Sequence, residues 1–328
     1  MECKCLSVVP RSALILSINQ VDPTRTLTLR NRFVAEMRRR FTALAKVIRI
    51  SIVDNDCFGL TGTPKVTRVL AAAGPGQFDF VNSSDKVAAF IAWLQEQYQE
   101  YIYSNGTRGI KIISPTGNIT EANWTDIYIQ SAYQQGMKRA RQELRKAGID
   151  IPDFGDMPGM DEIFVAFNQP FHVDRVRLLY TRTFSDLKGI TAAMDTMISR
   201  ALAQGMAEGR NPRELASVIN KIITGMGEDF GVFDSLGRWI PGQRRAEILA
   251  RTEIIRAHHM ATINEYERAG VLGVMVKAEW STAGDSRVCS ICASMNGKVY
   301  DLQKIRGMIP AHAQCRCVAI PWFPEVEQ

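Results

Sequence analysis

The sequence lacks a hydrophobic run long enough to cross a membrane. Its longest N-terminal apolar stretch, Ala13–Ile18, is far shorter than the ~20 residues that a spanning helix needs. That stretch is also too short for a secretory signal, and no small-x-small cleavage site follows it. The 24 glycines show no three-residue period, which excludes a collagen-like chain. We therefore expect a soluble protein without a membrane span that is not secreted by itself.

The sequence also lacks the short motifs of several enzyme classes. Its glycine-rich stretches have neither a Lys-Ser/Thr pair nor a preceding strand, so they predict no phosphate-binding loop. No Ser-His-Asp arrangement has a signature here, and histidine occurs only four times. His258 and His259 are adjacent on a predicted helix, where neighbouring side chains point about 100° apart and cannot chelate one ion together. His172 stands alone, and we interpret all three as structural histidines.

The composition is that of an ordinary globular protein. The 328 residues are 46% hydrophobic and 23% charged, and this length allows about two domains or three. Forty Lys+Arg against 34 Asp+Glu give a net charge of +6, which permits contact with nucleic acid or another polyanion but does not require it. The excess is uneven, because eight basic residues and a single acid, Glu36, lie between Arg25 and Arg49.

Apolar spacing predicts a mainly α fold. From Thr28 to about Ile52 the apolar residues recur at intervals of three and four, which is typical of an amphipathic helix. Similar stripes continue at intervals along the chain as far as Gly270. Asn211-Pro212 has the pattern of a helix N-cap followed by proline at the first helical position.

The last 58 residues change character, and short strands are predicted there. Val274–Trp280 and Val318–Ile320 have the composition of strands, and Asn296-Gly297 is a strong signal for a two-residue hairpin. The predicted fold has helical N-terminal and central regions and a small C-terminal α+β module held together by a Cys/His zinc-type site. The predicted regions are a basic helical N-terminal region at 1–150, a central helical domain at 151–270 and the C-terminal module at 271–328.

Basic side chains on the predicted helices are candidates for nucleic-acid contact. They are Arg32, Arg38, Arg39, Arg40, Lys138 and Arg139. One interpretation is a solvated helix face, since cations near the end of the helix that stops at Gly148 also complement the helix dipole. The other is a surface that meets phosphates or an acidic partner. Both interpretations remain open from the sequence.

Clustered cysteines are the most informative feature of the chain. Seven cysteines without a secretory signal indicate a reducing compartment and thiols used for something other than a disulfide framework. Four of them, with one histidine nearby, lie within 29 residues: Cys289, Cys292, His312, Cys315 and Cys317. A Cys-x-x-Cys turn and a second donor pair are typical of structural zinc modules, because thiolate and imidazole suit this ion. The N-terminal pair Cys3 and Cys5 is better explained as part of a frayed terminus.

Five donors are available for the four positions of a tetrahedral zinc. Cys289 and Cys292 form the first pair, and Cys315, Cys317 or both complete the second. His312 takes the last position or hydrogen-bonds to a ligand. The alternatives are reduced, buried, metal-free thiols, or a disulfide that forms after release from the cell.

The order of the donors argues against a catalytic metal. Nucleotide deaminases place His-x-Glu before Pro-Cys-x-x-Cys, whereas here the Cys-x-x-Cys comes first and no carboxylate stands at the required spacing. A catalytic zinc also keeps one position open, and this site has donors to spare. We predict a structural zinc and no enzymatic activity.

Several segments together resemble the head-morphogenesis domain of tailed phages, the Mu F-like minor head proteins. The resemblance covers roughly residues 170–321 and departs from the family at Ala311, where proline often precedes the histidine. The segments that carry it are Ala250-Arg-Thr-Glu253, Trp280-Ser-Thr282, Asp285-Ser-Arg-Val-Cys-Ser-Ile-Cys292, Asn296-Gly-Lys-Val-Tyr300 and Pro310-Ala-His-Ala-Gln-Cys-Arg-Cys317.

The resemblance implies a minor capsid protein that acts in capsid assembly, DNA packaging or DNA delivery. It implies several copies per virion, inside the head near the portal vertex, made in the bacterial host cytoplasm. The implied partners are the portal protein and, in addition, the scaffold, the major capsid protein and phage DNA. The competing interpretation is a metal-dependent enzyme acting on nucleic acid. Cysteine substitutions separate the two, because loss of folding favours the first and a folded but inactive protein the second.

Overall fold

The computed structural model describes residues 22–61, 78, 82–105, 111–113, 119–149, 151, 162–224, 232–233, 239–271 and 275–324. The predicted mainly α fold is confirmed over these ranges. The pair Cys3 and Cys5 lies outside them. The helices are α1 (Leu27–Arg49), α2 (Ser83–Gln97), α3 (Asp126–Lys146), α4 (Glu162–Phe167), α5 (Pro170–Ala207), α6 (Pro212–Ile223), α7 (Gly242–Val271), α8 (Ser290–Met295) and α9 (Leu302–Ile305).

A π-helical turn directly follows each of two helices. The helix predicted from Thr28 to about Ile52 is observed as α1, and the π-helical turn Ile50–Asp54 follows it directly. A second π-helical turn, Tyr98–Tyr103, follows α2. Both turns bury apolar side chains, so the hydrophobic stripe extends beyond the regular helix.

Local sequence signals explain the start of α6. The side chain of Asn211 accepts a hydrogen bond from the backbone N–H of Glu214, and the Glu214 carboxylate accepts one from the backbone N–H of Asn211. This reciprocal capping satisfies two backbone donors that have no partner within the helix. Pro212 occupies the first helical position, as its sequence predicts.

Contacts between Cα atoms divide the chain into two compact units. The first unit contains Met1–Phe33, Gly109–Thr183 and Ala250–Gln328, and the second contains Val34–Arg108 and Phe184–Leu249. Each unit thus combines segments that are far apart in sequence. The division into three consecutive regions stays a prediction.

The strands form small antiparallel sheets. Two-stranded pairs are formed by β1 (Lys111–Ile113) with β2 (Ile119–Glu121) and by β3 (Val232–Phe233) with β4 (Trp239–Ile240). The C-terminal sheet has three strands, β5 (Lys277–Ser281), β6 (Val299–Tyr300) and β7 (Val318–Trp322). Its order is β6-β5-β7, with Trp280 paired to Ala319 and Ala278 paired to Tyr300.

The hairpin predicted at Asn296-Gly297 is wrong. α8 precedes these residues, so they lead from a helix into β6 and do not join two strands. Gly297 has a φ of 78° and its N–H donates to the carbonyl of Trp280. The Asn-Gly pair correctly indicates a turn with a positive φ at the glycine, but this turn does not lie between two strands. β7 also extends past Ile320 and includes Pro321 and Trp322.

The C-terminal sheet and α7 share one hydrophobic core in the first unit. The core joins Ile263 and Tyr266 of α7 with Leu144 of α3, and it includes Trp280 of β5 and Cys292 of α8. All five side chains are at most 2% exposed. Residues 275–324 therefore fold against the helices of this unit, and the cysteines belong to that shared core.

Candidate metal centre and basic residues

The Cys-x-x-Cys pair is positioned by the short helix α8. Cys289 is the N-cap of this helix, and its Sγ accepts a hydrogen bond from the backbone N–H of Cys292 at 3.4 Å. A side chain at an N-cap can accept a hydrogen bond from a backbone N–H group that has no partner within the helix. This contact places both thiols on one side of the turn, as a chelating pair requires.

The second group of donors lies on the loop that leads into β7. The Nδ1–H of His312 donates to the carbonyl of Ala313 at 2.8 Å, which leaves Nε2 as the ring atom able to bind a metal. The backbone N–H of Cys315 donates to the carbonyl of His312 at 3.1 Å. Gln314, between them, has a φ of 62°. This tight turn directs His312 and Cys315 towards α8.

Helix α7 anchors the same loop. The guanidinium of Arg251 donates to the side-chain oxygen of Gln314 at 2.9 Å, and the hydroxyl of Thr252 accepts from the Gln314 backbone N–H at 3.2 Å. Sequence reasoning recognised Arg251 and Thr252 only as part of a family pattern. Their contacts now give the pattern a physical role, which is to hold the donor loop in place.

All five predicted donors come together in two overlapping triads. Cys289, Cys292 and His312 form one, and Cys292, Cys315 and Cys317 form the other, with the donor atoms of each triad within 4.8 Å of one another. The Nε2 atom of His312 lies 3.2 Å from both Cys289 Sγ and Cys292 Sγ. Cys292 Sγ lies 3.9 Å from Cys315 Sγ.

The separation of Cys292 Sγ and Cys315 Sγ fits two ligands of one tetrahedral zinc. With Zn–S near 2.3 Å and Zn–N near 2.0 Å, two sulfurs on one ion lie about 3.8 Å apart, and a sulfur and a nitrogen lie about 3.5 Å apart. The two 3.2 Å separations from His312 Nε2 are shorter than the second distance. Thiolate and imidazole donors also match zinc by chemistry. The arrangement can therefore hold a metal ion, while the choice of four ligands among the five stays a prediction.

The thiols differ in their affinity for protons. A backbone hydrogen bond from Cys292 lowers the pKa of Cys289. Burial raises the pKa of Cys292 to about 12. A hydrogen bond from the thiol of Cys317 lowers the pKa of Cys315, and the same bond raises the pKa of Cys317. The cluster thus favours some thiolates and opposes others, and a divalent cation would remove this conflict.

The carboxylate closest in sequence to the first cysteine pair is held by two arginines. Asp285 accepts hydrogen bonds from Arg316 at 2.8 Å and from Arg287 at 2.9 Å. The Arg316 hydrogen bond, followed by the Arg287 contacts, holds the pKa of Asp285 well below its ordinary value. Such a carboxylate accepts a proton poorly, so it is unsuited to act as a general base.

The predicted nucleic-acid residues are placed in different environments. Arg40 is buried, pairs with Glu36 at 2.8 Å and donates to the carbonyl of Ser104 at 2.8 Å. Arg139 is also buried and pairs with Glu143 at 2.8 Å. Both guanidinium groups are therefore used within the fold, and the structure supports a structural role for them in place of phosphate contact.

The other four candidates remain at the surface. Arg39 pairs with Glu36 on the same helix, and Arg38 pairs with Glu247 of α7 at 3.0 Å. Arg32 and Lys138 are exposed. Contact of these residues with nucleic acid stays a prediction.

The three non-ligand histidines are buried, as the structural interpretation requires. His172 does not stand alone, however. Its Nδ1 lies 3.0 Å from the hydroxyl of Tyr133 and its Nε2 lies 3.0 Å from a carboxylate oxygen of Glu265. The guanidinium of Arg141 donates to the same carboxylate at 2.9 Å. No local signal could reveal this network, because its members come from α3, α5 and α7.

Comparison with known proteins identifies one family. Residues 196–320 match the family model described as Phage Mu protein F like protein. The matched segment begins within α5, ends within β7 and contains all five predicted donors. The resemblance expected over roughly 170–321 is thus confirmed from residue 196 onward. No curated protein and no solved structure matches the chain.

Proposed function

Because residues 196–320 form a domain of the Mu F-like phage head family, we propose that this chain is a minor head protein acting at the portal vertex. There it assists capsid assembly, DNA packaging or DNA delivery. The observation that carries the proposal is the family match over the Cys/His loop and the helix that anchors it. No described helix is both long and apolar enough to span a membrane.

The metal in this proposal is a structural zinc. Cys292, Cys315 and Cys317 are at most 4% exposed and belong to the core of the first unit. An ion bound there would connect α8 to the loop before β7, and its binding free energy would stabilise the fold. The donors of the two triads are four cysteines and one histidine, and Asp285 is held by arginines. These features favour a zinc that cross-links two segments of the fold over a zinc that activates water. They therefore disfavour an enzyme acting on nucleic acid.

The proposed location is inside the virion head, with the portal protein as the main partner. The scaffold, the major capsid protein and phage DNA are further proposed partners. The family match supports a phage head protein, and the specific contacts are our inference from that membership.

Deletion of the gene in its phage tests the role. We expect heads that assemble abnormally or deliver DNA poorly, with full complementation by the wild-type chain. Purified portal should retain the wild-type protein in a pull-down, and Cys57→Ser, which alters a buried thiol outside the cluster, should bind equally well. An unchanged infectious yield after deletion, or even distribution over the shell lattice in a virion map, would contradict the proposal.

A further inference from the structure

A cleft of about 680 Å³ lies in the second unit between α1 and α6. Twelve side chains line it, and they are basic, hydroxyl, amide or small apolar: Arg38, Thr42, Ala45, Lys46, Arg49, Val53, Arg213, Ala216, Ser217, Asn220, Thr224 and Gln243. Four are cations and no aspartate or glutamate is among the lining residues. The charge of the lining therefore favours an anionic ligand.

The cations of the cleft are mostly uncompensated. Arg38 is neutralised by Glu247 at 3.0 Å. Lys46, Arg49 and Arg213 are exposed and form no ion pair with another residue in the part of the chain that the structure describes. In contrast, Arg39, which is on the same helix but outside the cleft, is paired with Glu36. Three positive charges are thus left free along one concave surface.

The lining residues form two rows along the flanking helices. On α1 the row runs from Arg38 through Lys46 to Arg49, and on α6 it runs from Arg213 to Asn220 with Thr224 after the helix end. At a rise of about 1.5 Å per residue, each row is about 16 Å long. A single strand of duplex DNA places one phosphate every ~3.4 Å along the helix axis, so a row of this length faces about five phosphates.

The chemistry of the lining distinguishes phosphate from an acidic peptide. Arg, Lys, Ser, Thr, Asn and Gln are the side chains that contact phosphate oxygens in protein–DNA complexes. A peptide groove instead presents pockets for large apolar anchors, and the apolar lining here is limited to Ala45, Val53 and Ala216. Without aromatic side chains in the lining, bases have no surface on which to stack.

We propose that this cleft binds the phosphodiester backbone of duplex DNA without sequence preference, through Lys46, Arg49 and Arg213. The contact set differs from the one predicted from the sequence, because Arg40 is used inside the fold and Arg39 is paired. The inference rests on the proposed function, in which phage DNA is a partner, and it names the surface that contacts the DNA.

The test measures binding of the full chain to a fluorescent 20-base-pair duplex of arbitrary sequence between 50 and 200 mM salt. The variant Lys46→Gln/Arg49→Gln/Arg213→Gln removes the three free cations. Its matched control, Arg39→Gln/Arg200→Gln/Lys221→Gln, removes three exposed cations of the same unit that do not line the cleft. Both variants change the net charge equally, and thermal melting confirms that each is folded.

Each phosphate contact adds about 0.9 to the slope of log affinity against log salt. We expect the slope of the cleft variant to be smaller by about 2.7. The fourfold rise in salt should therefore weaken binding of the variant by a factor about 40 times smaller than for wild type. The control variant should keep most of the slope. Equal losses in the two variants, or no binding of wild type at 50 mM salt, would overturn the proposal.

A second arm uses a labelled ten-residue polyglutamate peptide and inorganic phosphate. If the wild type binds the peptide more tightly than the duplex, and the cleft variant alone loses peptide binding, the ligand is an acidic protein and the proposal is wrong. Inorganic phosphate should compete only at millimolar concentration, because it offers one phosphate where the duplex offers several. Failure here leaves the portal experiment unaffected, since that readout does not depend on the cleft.

Discussion

The sulfur of Cys292 lies 3.9 Å from the sulfur of Cys315, although 23 residues separate them in the chain. Cys292 also lies 3.2 Å from His312 Nε2, so it belongs to both donor triads. α8 supplies one partner and the loop before β7 supplies the other. The two segments meet because β5 pairs with both β6 and β7 in one sheet. Cys292 is therefore the donor that the two triads share.

Replacing Cys292 by serine should abolish metal binding. We expect about one zinc per wild-type chain, measured by elemental analysis of protein purified under reducing conditions, and much less in Cys292→Ser. Since Cys292 is only 2% exposed, a substitution at the partly exposed Cys289, Cys289→Ser, provides a second variant that is less prone to misfold. Cys57→Ser is the control, because Cys57 is a buried thiol in the second unit, where burial raises its pKa to about 12. Metal-free wild-type protein would refute the zinc assignment.

Removing the metal should loosen the first unit selectively. Chelation leaves several thiols clustered without a cation, and the segment 275–324 loses its cross-link. Amide hydrogen exchange should rise throughout this segment, while α6 in the second unit serves as the internal reference. Because Trp280 and the cysteines share a core with α7, we expect the tryptophan fluorescence to shift as well. Equal exchange with and without chelator would show that the fold does not need the ion.

Stability should fall as the pH drops below about 6.5. Burial, assisted by the nearby Arg306 and Arg139, lowers the pKa of His259 from 6.5 to about 4, against the hydrogen bond to the carbonyl of Ile305. Between these values the unfolded chain binds a proton that the folded chain does not, so the free energy of unfolding decreases with falling pH. The full loss from this residue is about 3 kcal/mol.

Urea unfolding at pH 7 and pH 4.5 measures this effect. His259→Gln keeps a donor near the Ile305 carbonyl and does not titrate, so its stability should depend less on pH than that of wild type. Burial also lowers the pKa of the adjacent His258, so some pH dependence should remain in the variant. Parallel pH profiles for wild type and variant would rule out His259 as the cause.

Gly136 marks a close approach of α3 to α7. A Cβ at this position would collide with the backbone carbonyl oxygen of His258. We therefore expect Gly136→Ala to destabilise the protein by about 2 kcal/mol, since a backbone atom cannot move aside as a side chain can. Gly189→Ala in α5 is the matched control, because an added Cβ there meets no described atom within 4 Å.

Alanine at Gly189 should stabilise by about 0.5–1 kcal/mol through helix propensity alone. Thermal melting of both variants compares them directly. Opposite signs for the two substitutions would support the close helix packing. A stabilising Gly136→Ala would mean that α3 and α7 lie further apart than described.

Features that depend on neighbours in sequence were determined by the sequence itself. Interactions over a few residues produce the α6 capping box and the long amphipathic α1. The spacing of the Cys/His donors is likewise visible in the sequence. The family resemblance was also readable, because it consists of short local segments. These signals act within one turn or one loop, so remote parts of the chain do not alter them.

Features that depend on distant segments were decided only by the tertiary structure. Arg139 on α3 reaches the carbonyl of Ala319 on β7, 180 residues away, and so becomes buried. His172 gains Tyr133 and Glu265 as partners only when α3, α5 and α7 come together. The Asn296-Gly297 turn has the residue types of a hairpin turn. The strand after it, β6, nevertheless pairs with β5, which precedes α8 in the chain. The sequence shows which residues are charged and which favour turns. It does not show their partners, because the free energies of burial and pairing depend on all the elements that pack together in the unit.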